Sequence, residues 1–177
     1  MVRLETERLV LRELEPDAPA DAAFMLQLLN DPGWQAKLGD PGVRTVAGAA
    51  AYVERACAAS YRENGFGMYA VERSADGELV GLSGLIRRAG LDAPDLGFAF
   101  LAAFTGQGLA TEAGRAVLAD GVERLALQRI VAITTEDNAA SVAVLEKLGF
   151  RREGRVRLQA DRDELVLFGL ALEMQVP

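Results

Sequence analysis

Along the chain, short apolar stretches that alternate with polar residues or run unbroken are interleaved with longer ones in which apolar residues return every three or four positions. The first rhythm predicts strands and the second predicts helices. "RLVLREL" over 8–14 predicts a first strand, and 17–31 predicts a helix stopped by Pro32 and Gly33. A second helix is predicted over 46–63. Residues 67–86 hold two apolar segments around Asp76-Gly77, a dipeptide suited to the positive φ angles of a tight turn, and read as a hairpin. Strands are further predicted over 95–101, 129–135 and 164–174, the last apolar on both alternating faces as a buried strand should be. The stretch 108–126 carries small or apolar side chains at Ala110, Ala113, Gly114, Val117, Leu118, Gly121, Val122 and Leu125, a helical stripe. "NAASVAVLEKLGF" over 138–150 predicts a last helix, with Val144, Leu145 and Leu148 facing inward and Gly149 at the left-handed cap position.

This order of elements predicts an α+β fold with a mixed sheet. With 177 residues and no repeat, low-complexity tract or linker, the chain reads as one domain, 1–177. Half the residues are hydrophobic and a quarter charged, an ordinary globular composition. There is no histidine, and Cys57 is alone, so histidine catalysis, an internal disulfide and a Cys/His zinc site are excluded, and no metal is expected. The N-terminus lacks the apolar stretch of a signal peptide and no run reaches a membrane-span length, which predicts a soluble, cytoplasmic protein. A net charge of −7 and a pI near 4.7 argue against nucleic acid and anionic membrane as partners and favour cationic ones.

"FTGQGLATEA" (104–113) places Gly106 and Gly108 directly before the predicted helix of 108–126. A helix start carries unpaired N–H groups and partial positive charge, and glycines let a ligand approach the backbone, so such a turn can hold a pyrophosphate. The same glycines also serve a plain strand-to-helix turn. A Walker A loop is excluded because no Gly-Lys pair occurs. A dinucleotide fingerprint fits poorly: Thr111 stands at its third glycine, and no acidic residue lies in "LALQRIVA".

Together with "ETERLVLREL", "ELVGLSGLI", "DLGFAF" and "ITTEDNAASVAVLEKLGFRREG", the stretch resembles the acyl-CoA-binding motif of the GNAT N-acetyltransferases, in particular their RimJ/RimL-like branch. The resemblance spans nearly the whole chain and implies a mixed, mostly antiparallel twisted sheet flanked by helices. It also implies that backbone amides over Thr105, Gly106, Gln107, Gly108, Leu109, Ala110 and Thr111 cradle the CoA pyrophosphate. Thr105 departs from the Gln or Arg that opens the family motif. Phe104-Thr105 replace an aromatic-Trp pair, and Asp95 and Phe98 stand where the branch often has Glu and Tyr. The pantetheine is implied to lie along 95–101 like an added strand, paired to the backbone at Phe98, Ala99 and Phe100, with one N–H on the thioester oxygen. The Phe98 and Phe100 side chains read as core.

Asn138 reads as the N-cap of its helix, and the resemblance adds a pantetheine contact. Ser141 precedes Val144 and Leu145 by three and four residues, which puts it on the buried stripe, where a hydroxyl needs a partner. That partner is either the CoA sulfur, with Ser141 donating a proton to the leaving thiolate, or a local backbone group. By motif position Asp95 is the candidate base for the amine, or else an acid serving a solvated strand edge or a local hydrogen bond. Glu112 reads as a macrodipole residue and Cys57 as packing. Trp34 reads as packing or as a wall of the acceptor pocket. The implied activity is transfer of an acetyl group from acetyl-CoA to a primary amine, a protein N-terminus or a small molecule, in a ternary complex. The assembly is left open, a homodimer included, and the competing reading is a non-catalytic acyl-CoA sensor.

Overall fold

The computed structural model describes residues 1–160 and 163–172. Its strands are β1 (Arg3–Glu5), β2 (Leu9–Arg12), β3 (Met68–Arg73), β4 (Leu79–Ile86), β5 (Asp95–Phe100), β6 (Arg129–Thr134), β7 (Arg151–Val156) and β8 (Leu165–Ala171). They form one sheet in the order β1-β2-β3-β4-β5-β6-β8-β7. Every neighbouring pair is antiparallel except β5 and β6. This is the mixed, mostly antiparallel sheet that the resemblance implies.

Period-two alternation divides the core between the two sheet faces. Tyr69 and Val71 of β3 join one cluster, and Ala70 and Met68 the other. The first cluster is closed by α5 (Leu109–Glu123) and α6 (Ala139–Lys147), through Leu109, Ala113, Val117, Leu145 and Leu148. The second is closed by α1 (Pro19–Leu29) and α3 (Val46–Val53), through Phe24, Met25, Leu28, Leu29, Ala49 and Val53. A π-helical turn (Glu54–Ala58) leads from α3 into α4 (Ala59–Asn64) and buries Cys57, the packing role expected of it. Where α6 meets α5, a Cβ on Gly114 would lie 2.7 Å from Leu148 Cδ1, so glycine is what allows the helices to approach this closely.

Several predicted boundaries change. Pro32 and Gly33 do not end the helical region: Asp31 Oδ1 accepts the Gly33 N–H at 2.8 Å and Pro32 opens α2 (Pro32–Leu38). Proline fits a first helical turn because its missing N–H would be unpaired there anyway. The 46–63 helix is interrupted by the π turn. The 67–86 hairpin forms, but residues 74–78 connect it instead of a two-residue turn, and only Gly77 in that loop has a positive φ, 75°. Of the predicted α6 stripe, Leu145 and Leu148 are buried and Val144 is half-buried. Two strands are additional: β1, too short for a pattern, and β7, whose "RREGRV" is exposed along almost its full length and held by pairing to β8. The last predicted strand ends at Ala171, and Glu173 and Met174 lie outside the described residues.

Candidate active site

The parallel pair β5–β6 delivers α5 and α6 to the same end of the sheet, so both helix N-termini stand beyond the carboxyl ends of these two strands, where α/β folds bind ligands. The two strands then part. Their register holds only at Asp95↔Val131, whereas β4 and β5 stay paired from Gly81↔Phe100 to Ile86↔Asp95. As a result Asp95 and Leu96 are buried, while Gly97 to Phe100 are half-buried along an edge that no strand covers.

The direction of the free main-chain groups follows from two flanking hydrogen bonds. Val131 N–H donates to Pro94 O at 2.9 Å, and Leu101 N–H donates to Val80 O at 3.0 Å. Since N–H and C=O of successive strand residues point alternately to either side, Leu96, Phe98 and Phe100 turn theirs toward the opening, and Ala99 turns its own toward β4. By the same alternation Ile133 faces the opening from β6. Phe98 and Phe100 therefore present unpaired donors and acceptors to the cleft, while their side chains pack partly against the core under α5. The expected Ala99 backbone contact is not available from the cleft side.

Beyond β5, a 3-10 turn (Ala102–Phe104) leads into the glycine loop. Thr105 closes that turn, its hydroxyl donating to Ala102 O at 2.9 Å, and residues 105–108 are exposed. Gly106 and Gly108 are left-handed, with φ of 73° and 78°, a conformation that side chains other than glycine enter at a cost. Gly108 is the N-cap of α5, and the first intrahelical bond runs from Glu112 N–H to Gly108 O. The amides of Leu109, Ala110 and Thr111 thus have no partner one turn back and point outward at the positive end of the helix.

Glu112 does more than complement the helix dipole. Its carboxylate accepts from Thr6 Oγ1 at 2.6 Å, Arg8 N at 2.8 Å and Arg8 Nε at 2.6 Å, while Arg8 Nη1 reaches Gln107 O at 3.0 Å. The N-terminal segment is thereby latched onto the glycine loop. Burial raises the Glu112 pKa, but the bonds from Thr6 and Arg8 together outweigh it and bring the value below the ordinary one.

At α6, Asn138 Oδ1 accepts the Ser141 N–H at 3.2 Å, the cap read from the sequence. Ser141 is half-buried instead of fully buried, and of the α6 residues only Leu145 is buried. Its hydroxyl makes no hydrogen bond among the described residues, so it stays free to act on a ligand.

Asp95 lies where β5 and β6 begin to part. It is no solvated edge residue, being 2 % exposed, but it does make a local hydrogen bond: Arg88 Nε donates to its Oδ2 at 2.5 Å, while Oδ1 has no hydrogen-bond partner among the described residues. Burial raises its pKa above the ordinary value, and the Arg88 charge and hydrogen bond and the Ile133 backbone pull in the opposite direction. Asp95 shares its sheet face with Gly97, Ala99 and Leu101, the face covered by α1 and α3. Trp34 of α2 packs, half-buried, against that same cluster, and Asp31 Oδ2 accepts Ala102 N–H at 3.3 Å, tying α2 to the turn before the glycine loop. Among the described residues no group of His, Cys, Asp and Glu is arranged to hold a metal ion, and no helix is long and apolar enough to cross a membrane.

Comparison with known proteins agrees with this geometry. Residues 8–151 match the family described as acetyltransferase (GNAT) domain. The uncharacterized N-acetyltransferase YoaA of Bacillus subtilis (strain 168) is 31% identical over 160 residues, which cover 87% of this chain and 85% of that protein. A putative GnaT-family acetyltransferase from Bordetella pertussis superposes with a TM-score of 0.78 at 28% identity, covering 97% of this chain and 100% of that one. RimL, a ribosomal L7/L12 alpha-N-protein acetyltransferase solved in complex with coenzyme A, shares the fold with a TM-score of 0.80 at 19% identity, over 97% of this chain and 98% of its own. A parted parallel strand pair flanked by two helix N-termini, the ordered sequence motifs and the match over 8–151 converge on one assignment: the chain belongs to the GNAT family of acetyl-CoA-dependent acetyltransferases.

Proposed function

We propose that the protein acetylates a primary amine by direct attack on acetyl-CoA, with both substrates bound at once. The observation that carries this reading is the opening between β5 and β6, onto which Phe98 and Phe100 turn unpaired main-chain groups. An extended pantetheine arm carries amides that would pair there as an added strand. The pyrophosphate would rest on the amides of Leu109, Ala110 and Thr111 and on the open backbone of Gly106, Gln107 and Gly108, with Thr105 holding the turn before them. Asn138 caps α6 beside the arm.

The acceptor nitrogen attacks the thioester carbon, and negative charge develops on the carbonyl oxygen. A cleft-facing N–H on β5 is fixed in advance to stabilise that charge. The amine gives up a proton to Asp95, directly or through one water. As the tetrahedral intermediate collapses, the carbon–sulfur bond breaks, and Ser141 passes its hydroxyl proton to the departing thiolate and regains one from solvent water, to which Asp95 returns the proton it took from the amine. No step forms a bond between the acetyl group and the enzyme.

The test is thiol release from acetyl-CoA across free amino acids, polyamines, aminoglycosides and short peptides, with CoA affinity measured in parallel by calorimetry. Release that depends on an amine supports the enzyme. CoA binding with no release on any amine gives instead the acyl-CoA sensor.

A further inference from the structure

Resting on the acetyltransferase reading above, we infer that the acceptor is an amine that carries a carboxylate, as an α-amino acid does, and that Arg88 binds this carboxylate beside Asp95. The approach is decided by the two faces of β5. Phe98 and Phe100 fill the face under α5, so an amine reaches the thioester from the opposite face, where Asp95, Gly97 and Ala99 project. Arg88 follows β4, and Arg55 lies 5.4 Å over the ring of Tyr52, which packs into the α1–α3 cluster; Arg55 has no carboxylate partner among the described residues.

Arg88 holds a buried carboxylate in a way that other arginines paired to carboxylates do not. Arg12, Arg73, Arg124 and Arg129 each commit Nη groups to carboxylates. Arg88 commits only Nε, and its Nη1 and Nη2 meet no protein group among the described residues. Its side chain is 39% exposed while that of Asp95 is 2% exposed, so the pair is anchored at its buried end and open at the other. An open Nη1–Nη2 edge is the planar fork that a carboxylate binds through two parallel hydrogen bonds. Arg88 and Asp95 side by side therefore complement a zwitterion: carboxylate on the fork, ammonium beside the acid that takes its proton. A polyamine or aminoglycoside brings no carboxylate for the Arg88 fork and sets its positive charge against the guanidinium.

The test compares kcat/KM for matched pairs, several L-amino acids each against its own α-carboxamide, with spermidine and kanamycin as cationic controls. The carboxamide has the more readily deprotonated amine, so amine basicity works against the expected result. In the unmodified protein the carboxylate member is expected to be favoured at least tenfold, chiefly through KM. Arg88→Lys keeps the charge beside Asp95 and removes the fork; with CoA affinity unchanged, it should shrink that preference to less than threefold. Carboxamides used as well as the acids, a preference undiminished in Arg88→Lys, or no thiol release from any carboxylate-bearing amine in protein that binds CoA would each overturn the inference. Absence of CoA binding would instead overturn the acetyltransferase reading beneath it. The substrate comparison needs no variant, so it stands even if Arg88→Lys fails to fold.

Discussion

Among the described residues the Ser141 hydroxyl has no hydrogen-bond partner, and the chemistry proposed for it requires that freedom. Removing it leaves the cap intact, since Asn138 binds the Ser141 backbone and not its side chain. Ser141→Ala should therefore fold normally and lower kcat by about 10², the size of a lost proton donor, with acetyl-CoA affinity within a few-fold. Unchanged turnover at every pH would return Ser141 to a helix residue. Asp95 makes a second prediction at this scale. As the base it must be ionised, so kcat/KM should fall toward acid through an apparent pKa above the ordinary 3.8, and this limb should be missing in Asp95→Asn. Because burial raises the folded-state value, the same group favours the fold below about 3.8 and that contribution is lost as pH rises through the folded-state pKa. The types and positions of these residues could be read from the sequence. Their surroundings could not: nothing in "DLGFAF" reports that Arg88, seven residues back, reaches Asp95 or that its fork is left open.

A helix start that holds phosphate must keep its first amides unobstructed and its loop in a conformation most residues resist, and α5 satisfies both through Gly108. A Cβ there would meet only Arg8 Nη2 at 3.5 Å, so space is available and the obstacle is φ of 78°. Valine would confuse blocked binding with backbone strain. Gly108→Ala costs about 1–2 kcal/mol of strain, whereas Gly108→Asn tolerates the left-handed region better. Both should remain folded and lose CoA affinity at least tenfold by calorimetry, the asparagine variant with the smaller drop in Tm; full affinity in Gly108→Asn would remove the loop from the site. Glu112 gives the matching test of the latch. Glu112→Gln weakens charge-assisted bonds to Thr6 and Arg8, and should destabilise by about 1–2 kcal/mol, less than a buried ion pair because Arg8 is half-exposed. Its folded-state pKa is lowered, so the contribution is present above 4.5 and is lost as pH falls through the folded value. The stability difference between Glu112→Gln and the unmodified protein should shrink in that acid window. Among the elements, long periodic stretches such as α5 and β4 could be read from pattern alone. β1 and β7 escape it because their partners' backbones hold them, and α2 escapes it because Pro32 suits a helix start as well as a helix end.

The parting of β5 from β6 belongs to the molecule as a whole, since two apolar strands of ordinary pattern give no sign of where their pairing stops. It follows from what each strand is fastened to: β5 stays with β4 along its length, β6 stays with β8 from Arg129↔Ala171 to Thr134↔Val166, and among the described residues only the Asp95↔Val131 strand pairing joins the two halves of the sheet. The sheet is thus two antiparallel blocks sharing one short parallel seam, with α5 and α6 in contact across it. A ligand that pairs with β5 and rests on both helix starts bridges these blocks, and its binding energy adds to the stability of the fold. At a free concentration one hundred times Kd, CoA or acetyl-CoA should stabilise the protein by about 2.7 kcal/mol. For a chain of this size each kcal/mol corresponds to about 2–4 °C in Tm. NAD and ATP offer the glycine loop a pyrophosphate but have no pantetheine amides for Phe98 and Phe100, so at equal concentration they should leave Tm almost unchanged. Thermal melts with CoA, acetyl-CoA, NAD and ATP, each run with and without EDTA, decide the matter. Equal shifts from CoA and NAD would mean that the helix start alone binds, and that the opened strand edge takes no part.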